Sequence, residues 1–261
     1  VAMCLSSIAI DVSIGGRFKV AKTLANIGMT YARLGDVGRG LAYLERARSA
    51  HARYEDRDAR IDTTLVMATI LLEMDECERA RELVEEAAKL TAVVGNVYDR
   101  IHQLAVEALL SHRDEDHYLA ADYAARARQL AESQGLVSYH VFATSVEAAA
   151  RVASGEVQAG VLLATTALGA VEAMEGSEYG TKVRWLCCQA VSLAVAGDRL
   201  DANPSVWADV VRRSVNHIDR IAGYIRDPGH RERFFARAPV RFILEQSTKL
   251  RSHDSRAPGL A

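Results

Sequence analysis

GMTYARLGDVGRGLAYLERARSA, residues 28–50, puts glycine or alanine wherever two helices would have to touch and keeps the large residues between them. Gly28, Gly40 and Ala47 stand where a leucine would bury more apolar surface. The spacing around them is helical. Leu24, Ile27, Tyr31 and Leu34 follow one another at three or four residues, and Leu41, Leu44 and Ala47 do the same after a turn at Gly35. The stretch reads as a helical hairpin whose small residues line the crossing, so that the two backbones come closer than leucine-lined helices allow.

A step of 40 residues from Gly40 reaches Ala80, Ala120 and Gly160. The same step from Ala47 reaches Ala87, Ala127 and Ala167, and from Gly28 it reaches Ala68, Ala108, Ala148 and Cys188. Three columns of small residues in one register make the hairpin a repeating unit. Turn signals keep that register: LGD at 34–36, MDE at 74–76, RDEDH at 113–117, SGE at 154–156 and AGD at 196–198. YEDRD, VVGN, SQG and EGSEYG separate one unit from the next. If the columns are crossings, Tyr31, Leu44, Leu71 and Leu90 fill the space beside them, and Ala80→Leu or Ala120→Leu overpacks at a cost of about 1–3 kcal/mol.

This pattern resembles the tetratricopeptide repeat. Leu24, Ile27, Gly28, Tyr31, Gly35, Asp36, Gly40 and Ala47 match the family motif in the first unit, and Met67, Ala68, Leu71, Ala80 and Ala87 match it in the second. The third and fourth units keep Ala108, Ala120, Ala127, Ala148, Gly155, Gly160 and Ala167. They depart where Glu107 and Glu147 take an apolar position and where Ser111 and Arg151 replace an aromatic residue. The period exceeds the family's usual value of about 34 and lacks its closing proline. Longer helices are implied, as in the MalT-like repeat regions of large bacterial regulators.

The resemblance implies an all-α fold, a right-handed α-α superhelix (TPR solenoid) of about five helical hairpins with C-terminal capping helices. Residues 1–16 are expected to be the second helix of a truncated repeat, as in a chain cut from a longer protein. Repeats are expected over 17–56, 57–96, 97–136 and 137–176, with an atypical fifth over 177–226 whose turn is stretched by GDRLDANPS. A cap over 227–251 and a disordered tail over 252–261 complete the division. Trp207, Val210, Val211, Val215, Ile218, Ile221, Ala222 and Ile225 draw the stripe of an amphipathic helix from 206 to 225. Pro228 and Pro239 fit helix starts. Phe234, Phe235 and Phe242 supply bulk to close the open end of a solenoid.

Composition narrows the function. The net charge is −2, from 32 Lys+Arg against 34 Asp+Glu, and aromatic residues make up 6 %. Such a surface offers neither an electrostatic track for a phosphate backbone nor stacking platforms, so no nucleic acid partner is expected. No apolar run has the length of a membrane span and the start lacks a signal-peptide pattern, so a cytoplasmic chain without a membrane partner is expected. Cys4, Cys77, Cys187 and Cys188 form no CxxC and read as small core residues.

Catalytic signatures are absent from the sequence. His112 and His117 flank acidic residues but lack the spacing of a helical metal pair, and GDVGRG has neither a preceding strand nor a following Lys-Ser/Thr. Glu85 and Glu86 read as a solvated face, with Arg81 and Glu85 an ordinary helical pair. No catalytic residue, metal or cofactor is expected. What remains is a surface. By the family resemblance the first helix of each hairpin lines the concave groove, which assigns partner binding to Lys22, Asn26, Met29, Arg33, Glu73, His102, His112, Arg113, Trp185 and Gln189. The same register adds Asp62, Thr69, Leu109, Phe142, Ser145, Ala149 and Lys182. The expected function is a non-enzymatic protein-interaction and regulatory scaffold holding a protein or peptide segment, within a multidomain bacterial signalling protein. The alternative is a sensor for a small regulatory ligand or signalling peptide that switches an attached output domain.

Overall fold

The computed structural model of the chain describes residues 17–174, 176–196 and 204–254. The expected truncated repeat over 1–16 and most of the stretched turn of the fifth hairpin lie outside the described residues. Twelve α-helices fill the described residues. They pair as α1 (Arg17–Arg33) with α2 (Val37–Arg53), α3 (Arg57–Glu73) with α4 (Cys77–Val94), α5 (Val97–Arg113) with α6 (His117–Ser133), and α7 (Val137–Ser154) with α8 (Val157–Glu172). Then come α9 (Gly180–Ala196), α10 (Pro204–Tyr224), α11 (Pro228–Ala236) and α12 (Ala238–Asp254). Helix starts repeat at 17, 57, 97 and 137 and at 37, 77, 117 and 157, so the 40-residue register holds to the residue.

One turn chemistry recurs. At the end of α1 the Gly35 amide donates to the Ala32 carbonyl and the Asp36 amide to the Tyr31 carbonyl, the paired bonds of a Schellman cap. The same pair closes α2, α3, α5, α6 and α7. The residue that must go left-handed is Gly35, Gly135 or Gly155 in three of these turns and Glu55, Asp75 or Glu115 in the others. Entry is capped less regularly: Asp36, Asp56 and Asp116 accept from the backbone amide three residues on, and Asn96 with Asp99 forms a reciprocal capping box, whereas Glu76, Leu136 and Glu156 make no side-chain cap bond.

The small columns lie inside. Ala68, Ala80, Ala87, Ala108, Ala120, Ala127, Ala148 and Cys188 are fully buried, and Gly28, Gly40 and Gly160 are buried. A Cβ placed on Gly28 would come within 2.8 Å of the Gly40 carbonyl oxygen, and one on Gly160 within 2.8 Å of the Ala148 carbonyl oxygen. These positions are small because a neighbouring backbone occupies the space. Successive first helices α3, α5, α7 and α9 pack in a row, and from Val141 to Ala150 every residue of α7 is buried between its neighbours.

Ion pairs tie hairpins together on the outside. Glu86 accepts from Arg48 and Arg60 at 2.6 Å each, and Arg81 reaches Asp114 at 2.9 Å. The expected solvated Glu86 and the Arg81–Glu85 pair are therefore replaced by contacts between units, where the stacked geometry offers a closer partner than the helix's own next turn.

Helix α10 begins at Pro204, two residues before its expected start, with proline in the first turn. Phe234 is fully buried with Val240 and Ile243, and Phe235 and Phe242 pack against the same core. Helix α12 runs on to Asp254, so residues 252–254 are helical where the tail was expected to begin. The cap also does more than cover an end: it returns to the first hairpin. A Cβ on Gly35 would fall on the Arg233 carbonyl, the Tyr31 ring meets the His230 ring edge-on at 6.3 Å, and Arg237 Nη1 donates to the Arg33 carbonyl at 3.2 Å.

Candidate ligand chamber

That return bounds a partly open space. Between the first hairpins and helices α9 to α12 lies a cavity of about 750 Å³, lined from α1 by Met29 and Arg33, from α3 by Thr69 and Glu73, and from α5 by His102. Its far wall carries Lys182 and Arg184 on α9, His217 and Arg220 on α10, and Arg233 and Arg237 near the α11–α12 junction. The volume suits a short peptide or a compact organic molecule. A smaller recess of about 310 Å³ adjoins it, sharing Thr69, Glu73 and Lys182 and adding His112, Arg113, Trp185 and Gln189.

Glu73 is the node of the ion pairs that join the chamber's two walls. It ends α3, and its two oxygens accept from Lys182 Nζ and from Arg237 Nη2, each at 2.9 Å. Burial pushes the carboxyl up, but the two cations overcome that and hold it at about 2. One carboxylate therefore links the second hairpin, the fifth and the cap. Lys182 Nζ also stands 5.9 Å from the centre of the Phe142 ring.

Around this node the polar walls are fixed. His102, buried, meets Asp62 at 3.1 Å; burial alone would raise the Asp62 carboxyl, and the His102 contact brings it below its ordinary value. Arg113 donates to the Leu72 carbonyl at 2.9 Å and lies 5.5 Å from the Trp185 ring centre. The His112 and His117 rings stand 5.1 Å apart, and burial, with the neighbouring His117, lowers His112 to about 4. Among the described residues no group of three His, Cys, Asp or Glu side chains converges in a metal-binding arrangement.

Of the residues assigned from sequence, Met29, Arg33, Glu73 and His102 line the chamber, and Glu73, His112, Arg113, Trp185 and Gln189 line the recess. Lys22 and Asn26 are exposed and line neither, because they sit more than a turn before the end of α1 that faces the cavity. Phe142, Ser145 and Ala149 belong to the core; Phe142 stacks on Tyr179 with ring centres 4.5 Å apart. The residues that sequence reasoning missed are the arginines of the far wall. Their signal was the crowding of Arg231, Arg233, Arg237 and Arg241 beside phenylalanine in a chain of net charge −2.

Residues 19–91 match the family model of the tetratricopeptide repeat. Among solved structures, Rap protein complexed with competence and sporulation factor superposes with a TM-score of 0.57 at 16 % identity, covering 90 % of this chain and 66 % of that one. A signal transduction ATPase with numerous domains, carrying a tetratricopeptide repeat sensor, from Pyrococcus horikoshii, gives 0.52 at 11 % identity over 88 % of this chain and 42 % of that one. The chain thus spans just under two thirds of the first and under half of the second, and at these identities the likeness is one of fold. No curated protein sequence matches the chain.

Proposed function

From the tetratricopeptide-repeat match over residues 19–91 and the repeat fold, we propose that the chain is a non-catalytic sensing module that takes up a short peptide in its inner chamber. The observation that carries this is the partly open cavity of about 750 Å³, walled by repeat helices on one side and by the returning cap on the other. Its lining mixes apolar side chains such as Val66, Ile70 and Phe234 with fixed charges, which suits a ligand anchored by apolar groups and oriented by polar ones. The resemblance in fold to a Rap protein complexed with competence and sporulation factor supports a peptide-sized occupant. Likeness to a signal transduction ATPase with a repeat sensor supports a place within a larger signalling protein. Occupancy then acts on the rest of the protein through the cap, whose position depends on what the chamber holds.

The volume also favours a second reading, a small regulatory ligand in the same chamber, since a cleft of this size accepts drug-sized molecules. Panning a random peptide library against the chain, alongside a metabolite thermal-shift screen, separates the two. A bound peptide raises the melting temperature by mass action and loses affinity in Val66→Trp, which puts a bulky ring into the chamber wall. Hits only among metabolites favour the second reading. Binders of either kind that ignore Val66→Trp refute the chamber as the site.

A further inference from the structure

One corner of the chamber concentrates positive charge that no carboxylate among the described lining residues neutralises. Seven arginine and lysine side chains line the cavity against three carboxylates, in a chain whose net charge is −2. Glu73 is taken up by Lys182 and Arg237, and Glu178 faces Arg33 at 3.5 Å. Asp36 caps its own helix.

Of the cations left over, Arg233 and Arg241 belong to the cap helices, and Arg184 and Arg220 gather near the start of α9. Arg184 is only 3 % exposed, yet among the described residues its guanidinium has no carboxylate within ion-pair distance. Nη1 donates to the Gly180 carbonyl at 2.9 Å, and Nε is buried without a hydrogen-bond partner. Glu172, the carboxylate whose charge reaches it, is held through both oxygens by Arg213. His217 stands opposite: its Nε2 lies 3.4 Å from the Thr181 hydroxyl, and Arg220 Nη2 approaches its Nδ1 at 3.5 Å. With Arg220 donating to Nδ1, the ring proton belongs on Nε2, facing the same corner. A Cβ on Gly180 would stand 3.4 Å from His217 Cε1 and 3.6 Å from Arg184 Nη1, so guanidinium, imidazole and the positive end of α9 converge on one spot.

A buried guanidinium without a counter-charge destabilises the protein that holds it. It persists where an anion completes it. We propose that this corner is an anion subsite of the chamber, where Arg184, Arg220 and His217 receive a carboxylate or phosphate group of the ligand. The inference rests on the chamber being the ligand site and adds the class of ligand: a molecule with an oxyanion at one end and apolar groups towards Ile221 and Phe234.

The test uses the whole chain, with sodium phosphate and sodium acetate titrated separately at constant ionic strength and the Arg184 Nε–H and His217 signals followed by NMR. Saturation by at least one anion in the millimolar range is expected. Phosphate saturating well below acetate assigns a phosphoryl group, and the reverse or equal affinity assigns a carboxylate. Arg220→Gln, at an exposed position, weakens binding about tenfold, the loss of one charge-assisted contact. Arg184→Met abolishes saturation and raises the melting temperature in anion-free buffer, because it removes a stranded charge. Linear shifts with both anions, wild-type affinity in both variants, or a lower melting temperature for Arg184→Met overturns the subsite. A library peptide that still binds and still loses to Val66→Trp in that case leaves the chamber reading standing, so the two fail separately.

Discussion

Glu73→Gln tests whether one carboxylate keeps the chamber closed. Glu73, Lys182 and Arg237 are 11–13 % exposed at their side chains, and the two cations hold the carboxyl at about 2 against its ordinary 4.5. A depression of that size corresponds to about 3 kcal/mol of folding stability. Because the folded value lies below the unfolded one, the stabilisation is complete above pH 4.5 and is lost as pH falls towards 2. At neutral pH the amide keeps the shape and removes the charge. Lys182 and Arg237 are then stranded, and truncating one partner of a buried pair costs about 3–5 kcal/mol. The Lys182 ammonium is already disfavoured, since burial costs it more than Glu73 returns. A triple variant, Glu73→Leu with Lys182→Met and Arg237→Met, is therefore expected to lose less than the single one. Stacked hairpins need not unfold in one step, so the assay is hydrogen exchange resolved by segment rather than a single melting curve. Glu73→Gln should speed exchange in α11 and the first turns of α12 about a hundredfold and leave α5 to α7 unchanged. Unchanged exchange in α11, or a loss spread evenly over α5 to α7, would refute the closure.

Two glycines of α8 should respond with opposite signs. Gly160→Ala sets a Cβ 2.8 Å from the Ala148 carbonyl and 2.9 Å from the Val152 amide nitrogen and should destabilise by about 1–3 kcal/mol, whereas Gly169→Ala meets nothing within 4 Å and should stabilise by about 0.5–1 kcal/mol in urea denaturation. Ala120→Leu, at a fully buried crossing remote from the chamber, should cost about 1–3 kcal/mol and also speed exchange in α11, because a wedge in the third hairpin changes where the cap arrives. Burial pushes the Cys188 thiol up to about 12 and the Cys187 thiol higher, so iodoacetamide should modify neither in the native chain and both in urea, as read by peptide mass spectrometry.

The solenoid was legible because its signal is local and repeated. Each crossing writes a small residue at a fixed place, and the step from Gly40 to Ala80 to Ala120 can be counted without knowing any contact. The turns were less legible. Glu55, Asp75 and Glu115 adopt the left-handed conformation that glycine adopts at Gly35 and Gly155, so residue type marks only part of a motif that the hydrogen bonds repeat in full. Glu86 was misjudged for a related reason: a charged residue on an amphipathic helix reads as solvated until a neighbouring hairpin brings Arg48 and Arg60 within 2.6 Å of it.

The chamber is a harder case, because its closure is a sum. Each hairpin turns by a small angle relative to the last, and the angle depends on how closely the crossings at Gly28–Gly40 and Ala148–Gly160 pack. No single unit encodes whether five such turns carry α11 past the first hairpin or into it. Sequence could therefore assign Met29, Arg33, Glu73 and His102 to an inner face, since facing is a property of one helix. It could not pair Glu73 with Arg237, 164 positions further on, since that contact belongs to the accumulated rotation. The arginines near the α11–α12 junction looked like the polar exterior of a cap for the same reason. A residue beyond the last repeat is exterior in an open solenoid and interior in one that closes on itself, so the chemistry of this chamber is decided by pitch as much as by residue type.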